Sequence, residues 1–331
     1  MFAVGFPWEA RVQRRLGRSG ITVSALGLGT ARMAGLGWSR RGDAFRPADE
    51  AAERESVRAI RRALELGVTF FDTADVYGCG GSERVLGRAL SGHRHEVVIA
   101  TKFGETFDEV SCEPVEQEVA PAYVSQACEA SLRRLGTDYI DLYLLHLRDY
   151  DLARAPAIRG TLEDLVAAGK IRAYGWSTDD PARARTFAEG THCTAIEHRL
   201  NLFEPSPEMV AVCEEHDLAS INRVPLMMGA LTGRWSRTTL LPETDRRSEW
   251  FNDEGFLEAM ERAERLREPL TRDGRSYVQG ALGWIWARNA RAIPIPGFRT
   301  LDQVTELVGA MAHGPLAEDA MAEVERRMGR G

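Results

Sequence analysis

From residue 25 onward one phrase repeats along the chain: a short apolar run, a polar loop, then a stretch whose apolar positions recur near every 3.6 residues. The runs predict strands over Ala25–Gly29, Thr69–Asp72, Val97–Lys102, Ile140–His146, Ile171–Ser177, Ala195–His198, Ala219–Val224 and Ala292–Ile295. Helices are expected between them, over Ala52–Leu66, Glu83–Leu90, Ala122–Leu135, Ala157–Ala168, Pro181–Ala188 and Pro207–His216, with Phe256–Leu266 and Tyr277–Arg288 before the last strand. In Ala52–Leu66 the apolar residues Val57, Ile60, Ala63, Leu64 and Leu66 keep helical spacing, and Gly67 ends the run. The strand segments are apolar almost throughout rather than alternating, the pattern of a parallel sheet covered on both faces.

Eight strand–helix units without a domain-sized linker predict an α/β fold, a single closed (β/α)8 TIM barrel over residues 1–331. The length agrees, since such barrels take about 250 residues plus insertions. Ahead of the first strand, Arg14–Ser24 reads as an N-terminal β-hairpin turning at Arg18-Ser19-Gly20, placed to plug one end of the barrel. Long loops, Met33–Asp49 and Pro225–Gly255, follow strands one and seven, on the face where barrel active sites are built. Trp38, Trp235, Trp250 and Phe251 mark them as covers, because disordered segments are poor in aromatics.

Composition removes whole classes of function. A net charge of −7 without a dense basic stripe argues against a nucleic-acid partner. The cluster Arg11, Arg14, Arg15 and Arg18 reads as a solvated turn region. Five cysteines, an odd number lacking CxxC spacing, argue against a disulfide framework or zinc ribbon and suit a reducing compartment. No apolar stretch approaches the roughly 18 residues that span a membrane, and the first residues do not resemble a signal peptide. A cytoplasmic protein with no membrane partner is the expectation.

The chemistry lies at the strand ends. Asp72 closes strand two, Tyr77 follows in its loop, Lys102 closes strand three and His146 closes strand four. In a barrel those ends converge on one mouth. Of 42 basic residues only Lys102 and Lys170 are lysines. Lys at position 102 therefore stands out, because its ammonium is a compact, tunable charge that Arg cannot replace. Near neutrality a phenol is a poor acid, with an ordinary pKa of about 10. An adjacent ammonium favours the phenolate and is expected to lower that value, with Asp72 holding the ammonium in place. His146 can donate a hydrogen bond to a carbonyl and polarise it. Each residue alone has a plain reading: Asp72 as a cap, Tyr77 as packing, Lys102 as surface charge, His146 as a half-buried ring. The set, on three successive strand ends, suits protonation of a carbonyl oxygen while a cofactor supplies hydride to its carbon.

The chain resembles the aldo-keto reductase family over nearly its whole length, from Leu26-Gly27-Leu28-Gly29-Thr30 to Ile295-Pro296-Gly297-Phe298-Arg299-Thr300. The motifs that carry the resemblance are Phe71-Asp72-Thr73-Ala74-x-x-Tyr77-Gly78, Gly81-Ser82-Glu83, Ala100-Thr101-Lys102, Ser131-Leu132-x-x-Leu135-x-x-Asp138-Tyr139-Ile140-Asp141, Leu144-Leu145-His146 and Gly169-Lys170-Ile171-Arg172. The resemblance implies an (α/β)8 barrel that binds a nicotinamide cofactor in extended form, usually the phosphorylated one. It implies Tyr77 as proton donor, Lys102 and Asp72 as its tuning pair, and His146 as the substrate-orienting group. NADP(H), with NADPH preferred to NADH, is thus the expected cofactor.

Gly27-x-Gly29 is not a dinucleotide-fold fingerprint, which needs a third glycine opening a helix and an acidic residue about 20 positions on. The phosphates are expected instead near strands seven and eight, the usual phosphate corner of such barrels. Pro225, Leu226, Gly229, Leu231, Gly233 and Arg234 lie in a loop that resembles the family's pyrophosphate cover. Ile295, Gly297, Phe298 and Arg299 follow strand eight, where Arg299 would bond a ribose 2′-phosphate. The resemblance places Gln303 and Glu306 near the adenine, and Gly29, Thr30, Ser177, Thr178 and Glu197 complete the expected cofactor site. Three departures stand at the nicotinamide end: Thr178 where an Asn is usual, Glu197 for a Gln, and Leu200 for a Tyr. At the adenine end Leu307 replaces a frequent Asn. An ionised Glu197 can only accept hydrogen bonds, so hydrogen bonding to the nicotinamide amide is expected to be altered.

The resulting function is reduction of an aldehyde or ketone to an alcohol. An alternative is a non-catalytic, cofactor-binding barrel that senses redox state and acts on a protein partner; the intact Asp72, Tyr77, Lys102 and His146 weigh against it. A metal-dependent hydrolase is a further rival, but His93 and His95 precede strand three, at the wrong end, and no metal is expected. Loop position alone gives the substrate wall as Arg32, Met33, Trp38, Phe103, Arg148, Trp235 and Trp250. Such a wall suits a keto-sugar or polyketide-like ketone and is compatible with a small hydrophobic aldehyde. Oligomeric state leaves no mark in the sequence.

Overall fold

The structure is a computed structural model and describes residues 13–31, 33, 50–108, 111–112, 114–147, 150–241 and 246–330. Arg32, Trp38, Arg148 and nearly all of the loop after the first barrel strand lie outside them. The strands, in chain order, are β1 (Gln13–Arg15), β2 (Thr22–Ser24), β3 (Gly27–Gly29), β4 (Phe70–Asp72), β5 (Val98–Phe103), β6 (Glu105–Phe107), β7 (Pro114–Gln117), β8 (Ile140–Leu145), β9 (Ile171–Ser177), β10 (Cys193–Arg199), β11 (Ala219–Arg223) and β12 (Ala292–Pro294). Eight of them form one parallel sheet in the order β12-β11-β10-β9-β8-β5-β4-β3. Its two edges meet at a parallel bridge between Gly29 and Gly297, and the Gly29 N–H donates to the Pro296 carbonyl at 3.1 Å. A side chain at Gly29 would bring its Cβ within 2.9 Å of the Ile295 carbonyl oxygen, so closure depends on glycine there. The eight-stranded barrel is closed.

Helices cover the outside: α1 (Glu50–Glu65), α2 (Gly81–Ala89), α3 (Pro121–Leu135), α4 (Ala155–Ala167), α5 (Pro181–Ala188), α6 (Pro207–Glu215), α7 (Glu254–Glu264), α8 (Arg267–Thr271), α9 (Tyr277–Arg288), α10 (Leu301–His313) and α11 (Glu318–Arg327). Their starts have chemical reasons. Asp180 caps α5, Ser276 and Gln279 form a capping box on α9, and Thr300 with Gln303 forms one on α10. Among the described residues no helix is long and apolar enough to cross a membrane.

Two apolar layers flank the sheet. Outward-facing strand residues pack against the helices, with Phe71, Ile99, Phe103, Tyr143, Leu145, Tyr174, Trp176 and Ile196 all buried there. Inward-facing ones, among them Phe70, Val98, Ala100, Leu142, Leu144, Ala173, Ala195, Ala219, Ile221 and Ile293, form a separate interior core. Leu16, Ile21 and Val23 of the β1–β2 hairpin belong to this interior cluster, so the hairpin plugs the barrel as its position in the chain suggests. Arg18 fastens it, donating to the carbonyls of Ala188, Gly190 and Cys193 at 2.7, 2.6 and 2.9 Å.

The apolar-run reading finds all eight barrel strands, with ends displaced by at most two residues. It misses the β6–β7 hairpin, α8 and α11. β6 and β7 are short and mostly polar, so no apolar run announces them. The cysteine reading needs correction: Cys79 and Cys112 form a disulfide, leaving Cys128, Cys193 and Cys213 as buried thiols. An odd count forbids only complete pairing. The two sulfurs meet because the loop after β4 and the β6–β7 connection fold together, which spacing does not reveal.

Candidate active site

Strand alternation decides which residues reach the mouth. Successive residues point to opposite sheet faces, so positions two beyond an interior apolar residue share its face. Asp72 lies two beyond Phe70, Lys102 two beyond Ala100, His146 two beyond Leu144, and Glu197 two beyond Ala195. The same register makes Arg223, two beyond Ile221, a mouth residue that the reading from family motifs passes over. Above an apolar floor, the C-terminal strand ends thus supply a ring of polar side chains.

Lys102 is the centre of that ring and has no exposed surface. Its ammonium donates to both Asp72 carboxyl oxygens at 2.7 Å and to the Thr73 carbonyl at 2.9 Å, and lies 3.3 Å from Glu197 Oε2. Burial alone would lower its pKa. The charges of Asp72, Glu197 and Tyr77 reverse that effect and hold it above the ordinary lysine value, so Lys102 is a permanent cation. The ammonium nitrogen is 5.1 Å from the Tyr77 ring centre. His146 meets Tyr77 edge-on, with ring centroids 6.0 Å apart. Its backbone N–H donates to the Phe103 carbonyl at 2.8 Å, fixing the strand end that carries it.

A buried polar lattice supports the loop from Asp72 to Tyr77. The Thr30 hydroxyl donates to the Asp72 carbonyl at 2.9 Å, and the Ser82 hydroxyl reaches Thr30 Oγ1 at 2.7 Å. Thr73 Oγ1 in turn donates to Ser82 Oγ at 3.0 Å. Glu83, fully buried at the start of α2, accepts from Thr101 at 2.6 Å and pairs with Arg134 at 2.6 Å. The Gly81-Ser82-Glu83 motif therefore ties α2 to β5 and α3. At the opposite end, buried Asp141 accepts from Arg94, Arg172 and the Ile99 N–H at 2.7, 2.8 and 3.0 Å, so that motif residue serves the sheet. Lys170 pairs with Glu129 at 3.0 Å near the surface.

One electrostatic expectation is corrected. Burial pushes the Tyr77 phenol up to about 12; Lys102 pulls it down as anticipated, but Asp72 and Glu197 push it up. The second carboxylate is the reason. Glu197 is buried, accepts from the Ser177 hydroxyl at 3.0 Å, and belongs to the Lys102 cluster. Thr178 is buried beside it, its backbone N–H bonded to the Glu197 carbonyl at 2.9 Å and its Oγ1 accepting from the Asp180 N–H at 3.1 Å. Leu200 and Leu307 are core residues.

The residues expected around the phosphates fall into two groups. After β11 the backbone turns through left-handed conformations at Val224, Met227, Met228, Gly229 and Gly233. Leu231 is buried, and Gly229 lies so close to Trp235 that a Cβ would come within 2.6 Å of the indole. Beside it, Arg234 pairs with Glu306 of α10 at 2.8 Å, bringing the loop after β11 to the last barrel helix. Gln303 spends its side-chain oxygen on the N–H groups of Arg299 and Thr300, at 2.7 and 3.3 Å. Arg299 and Gly297 are exposed, Phe298 is buried, and Ile295 joins the interior core.

The proposed substrate wall fares differently. Phe103 faces outward and stacks on Tyr143 with ring centroids 4.5 Å apart, because it neighbours the inward-facing Lys102. Met33 is likewise buried in the outer core. Both are corrected to packing residues. Trp235 contacts Phe251 and Trp250 contacts Phe256, at 5.5 and 5.7 Å between centroids, in a small cluster with Ala230, Leu257 and Met260. The aromatics of this long loop build a folded unit of their own.

A barrel that gathers a buried ammonium, two carboxyls, a phenol and an imidazole at its strand ends is equipped for acid–base chemistry. The aldo/keto reductase family model matches residues 25–327. The chain belongs to that family and is an aldo-keto reductase. It is 29% identical over 318 residues to an uncharacterized oxidoreductase of Bacillus subtilis, covering 95% of each chain. It is 30% identical over 308 residues to an aldo-keto reductase of Schizosaccharomyces pombe named for NADP(+), covering 90% of this chain and 86% of that one. Among solved structures, a glycerol dehydrogenase from Gluconobacter oxydans superposes with a TM-score of 0.83 at 28% identity, covering 97% and 96% of the two chains.

Proposed function

We propose that the chain reduces an aldehyde or ketone to an alcohol with NADP(H), working as one barrel domain. The carrying observation is the buried Lys102 ammonium, held at 2.7 Å by Asp72, with its nitrogen 5.1 Å from the Tyr77 ring centre. Tyr77 gives its proton to the carbonyl oxygen. Lys102 stabilises the phenolate left behind, and a buried ammonium does so far better than a solvated one. Asp72 and the Thr73 carbonyl fix the ammonium in position. His146, at ring distance from Tyr77, orients the carbonyl so that its oxygen faces the phenol.

A nicotinamide cofactor supplies the hydride that no side chain can. The donor and acceptor set fits one. Glu197 Oε2 is a buried acceptor without a close hydrogen-bond donor, its nearest cation being Lys102 at 3.3 Å, and a carboxamide N–H would satisfy it. Ser177 and Thr178 flank that position. Gly29, Thr30, Pro225, Leu226, Gly229, Leu231, Gly233 and Arg234 would hold the diphosphate stretch, with Ile295, Gly297 and Phe298 closing the other side. Exposed Arg299, just ahead of the α10 N-terminus, favours a 2′-phosphate, where guanidinium charge and free helix N–H groups act together. Similarity to the glycerol dehydrogenase favours a polar hydroxy-ketone, within the keto-sugar range, over a purely apolar aldehyde. Following the near-ultraviolet absorbance of NADPH and NADH against a panel of carbonyl compounds tests the reading. Faster loss of NADPH with a hydroxy-ketone is expected, and no oxidation of either coenzyme with any carbonyl contradicts it.

A further inference from the structure

Two carboxyls share one ammonium in the interior of this barrel. Lys102 Nζ is 2.7 Å from Asp72 and 3.3 Å from Glu197, and all three side chains are buried. With both carboxyls ionised the cluster would carry a net negative charge out of contact with water, which is costly. Both carboxyls approach the same ammonium nitrogen, which makes them close neighbours. Two ionised carboxylates so close repel each other, which favours one proton held by the pair. Ser177 fixes the other oxygen of Glu197 by donating to it at 3.0 Å.

We propose that Asp72 and Glu197 hold a single proton between them, and that Glu197, as second counter-ion of Lys102, is a positioning residue that sets the acidity of Tyr77. The proposal rests on the reading of Tyr77 as proton donor. It is consistent with Asp72 standing well above the usual carboxylate range, through burial and the charge of Glu197. The groups facing Glu197 from neighbouring elements are Lys102 on β5, Asp72 on β4, His146 after β8 and Arg223 on β11, which pairs with Asp179 after β9. At neutral pH the shared proton balances the cluster. Once that proton leaves at alkaline pH, a second negative charge stands beside the phenol and opposes its ionisation. The site thereby keeps Tyr77 as a donor further up the pH scale than a single carboxylate would allow. A phenol held protonated serves carbonyl reduction and works against alcohol oxidation, which needs the phenolate as base.

Infrared spectroscopy of the full-length protein and of Glu197→Gln at neutral pH tests the shared proton without using activity. Asp75, buried and also held above the usual carboxylate range, is the same in both proteins, so any band it gives cancels in the difference. The difference should therefore show one protonated-carboxyl band lost in the variant. Asp72→Asn, which breaks the same pair from the other side, should lose the same band, and it serves if Glu197→Gln fails to fold. In the pH profile of kcat/KM for reduction, the alkaline limb of Glu197→Gln should move down by about one pH unit or more. Glu197→Asp, which retains the charge, should restore much of the limb. An identical carboxyl band in all three proteins, or an alkaline limb unmoved in Glu197→Gln, overturns the proposal. Tyr77→Phe with undiminished turnover would instead strike at the proton-donor reading and leave the infrared result to decide the shared proton.

Discussion

Lys102 and Glu197 stand on strands that are not neighbours in the sheet, yet their charged atoms are 3.3 Å apart across the barrel interior. Only a closed, strongly curved sheet allows that approach. It brings a second carboxyl to a site where an ammonium, one carboxyl and a phenol already suffice for acid–base chemistry.

Replacing Lys102 tests the site at its centre. Lys102→Met fills similar space and leaves Asp72 and Glu197 without their cation. We expect kcat to fall by about 10²-fold or more, the scale of a lost acid–base contribution. Steady-state kinetics at saturating coenzyme measure it, and a loss of less than about tenfold would remove Lys102 from the chemistry.

Gly175 links packing to activity. It sits in β9 just below Ser177, and a Cβ there would come within 2.0 Å of the Ala195 carbonyl oxygen in β10, the strand that carries Glu197. Gly175→Ala should destabilise the fold by about 1–3 kcal/mol, the usual cost of overpacking. It should also lower kcat, because β10 must move. Denaturant unfolding together with kinetics checks both, and an unaltered midpoint would contradict the close packing.

His198 gives the fold a pH dependence of its own. It is fully buried, its Nδ1 2.9 Å from the Arg199 carbonyl and its Nε2 2.7 Å from Ser220 Oγ. The carbonyl can only accept, so Nδ1 carries the proton and Nε2 accepts from Ser220. Burial lowers the pKa to about 4 from the ordinary 6.5. Between those values the unfolded chain binds the extra proton, so stability is lost as pH falls through that window and is complete above it. The loss attributable to this residue amounts to roughly 3 kcal/mol at most. Comparing wild type with His198→Gln by denaturant unfolding across that range isolates it. Parallel pH curves for the two proteins would count against this role.

The Cys79–Cys112 disulfide closes a loop over a sequence separation of 33, and Cys79 follows Tyr77 by two residues. Chain-entropy arguments allow it about 3–4 kcal/mol of stabilisation. A dithiol reductant should lower the melting temperature of wild type and leave Cys112→Ser unchanged. Equal melting with and without reductant would show that the bridge contributes nothing.

Much of this architecture can be read from the chain before any coordinates. Parallel barrel strands are buried on both faces, so each announces itself as an apolar run, and Asp72, Lys102 and His146 stand out because each polar residue ends such a run. Counting in twos from interior residues such as Ala195 and Ile221 would have added Glu197 and Arg223 to the same ring. Phe103 and Met33 mislead for the same reason: closeness in sequence to a mouth residue says nothing about which face a side chain takes. The sign of the Tyr77 shift needs depth and the placement of two carboxyls, neither of which a motif carries. The Cys79–Cys112 pair and the β6–β7 hairpin depend on how two loops meet, and short polar strands leave no periodic trace.

The central claim is that the Tyr77 hydroxyl delivers the proton. Single-turnover kinetics of Tyr77→Phe, measured with NADPH and a reducible carbonyl compound alongside the variant's dissociation constant for NADPH, test it most directly. We expect the chemical step to slow by about 10²–10⁴-fold while coenzyme binding stays within about twofold. A chemical step as fast as in the wild-type protein would contradict the account.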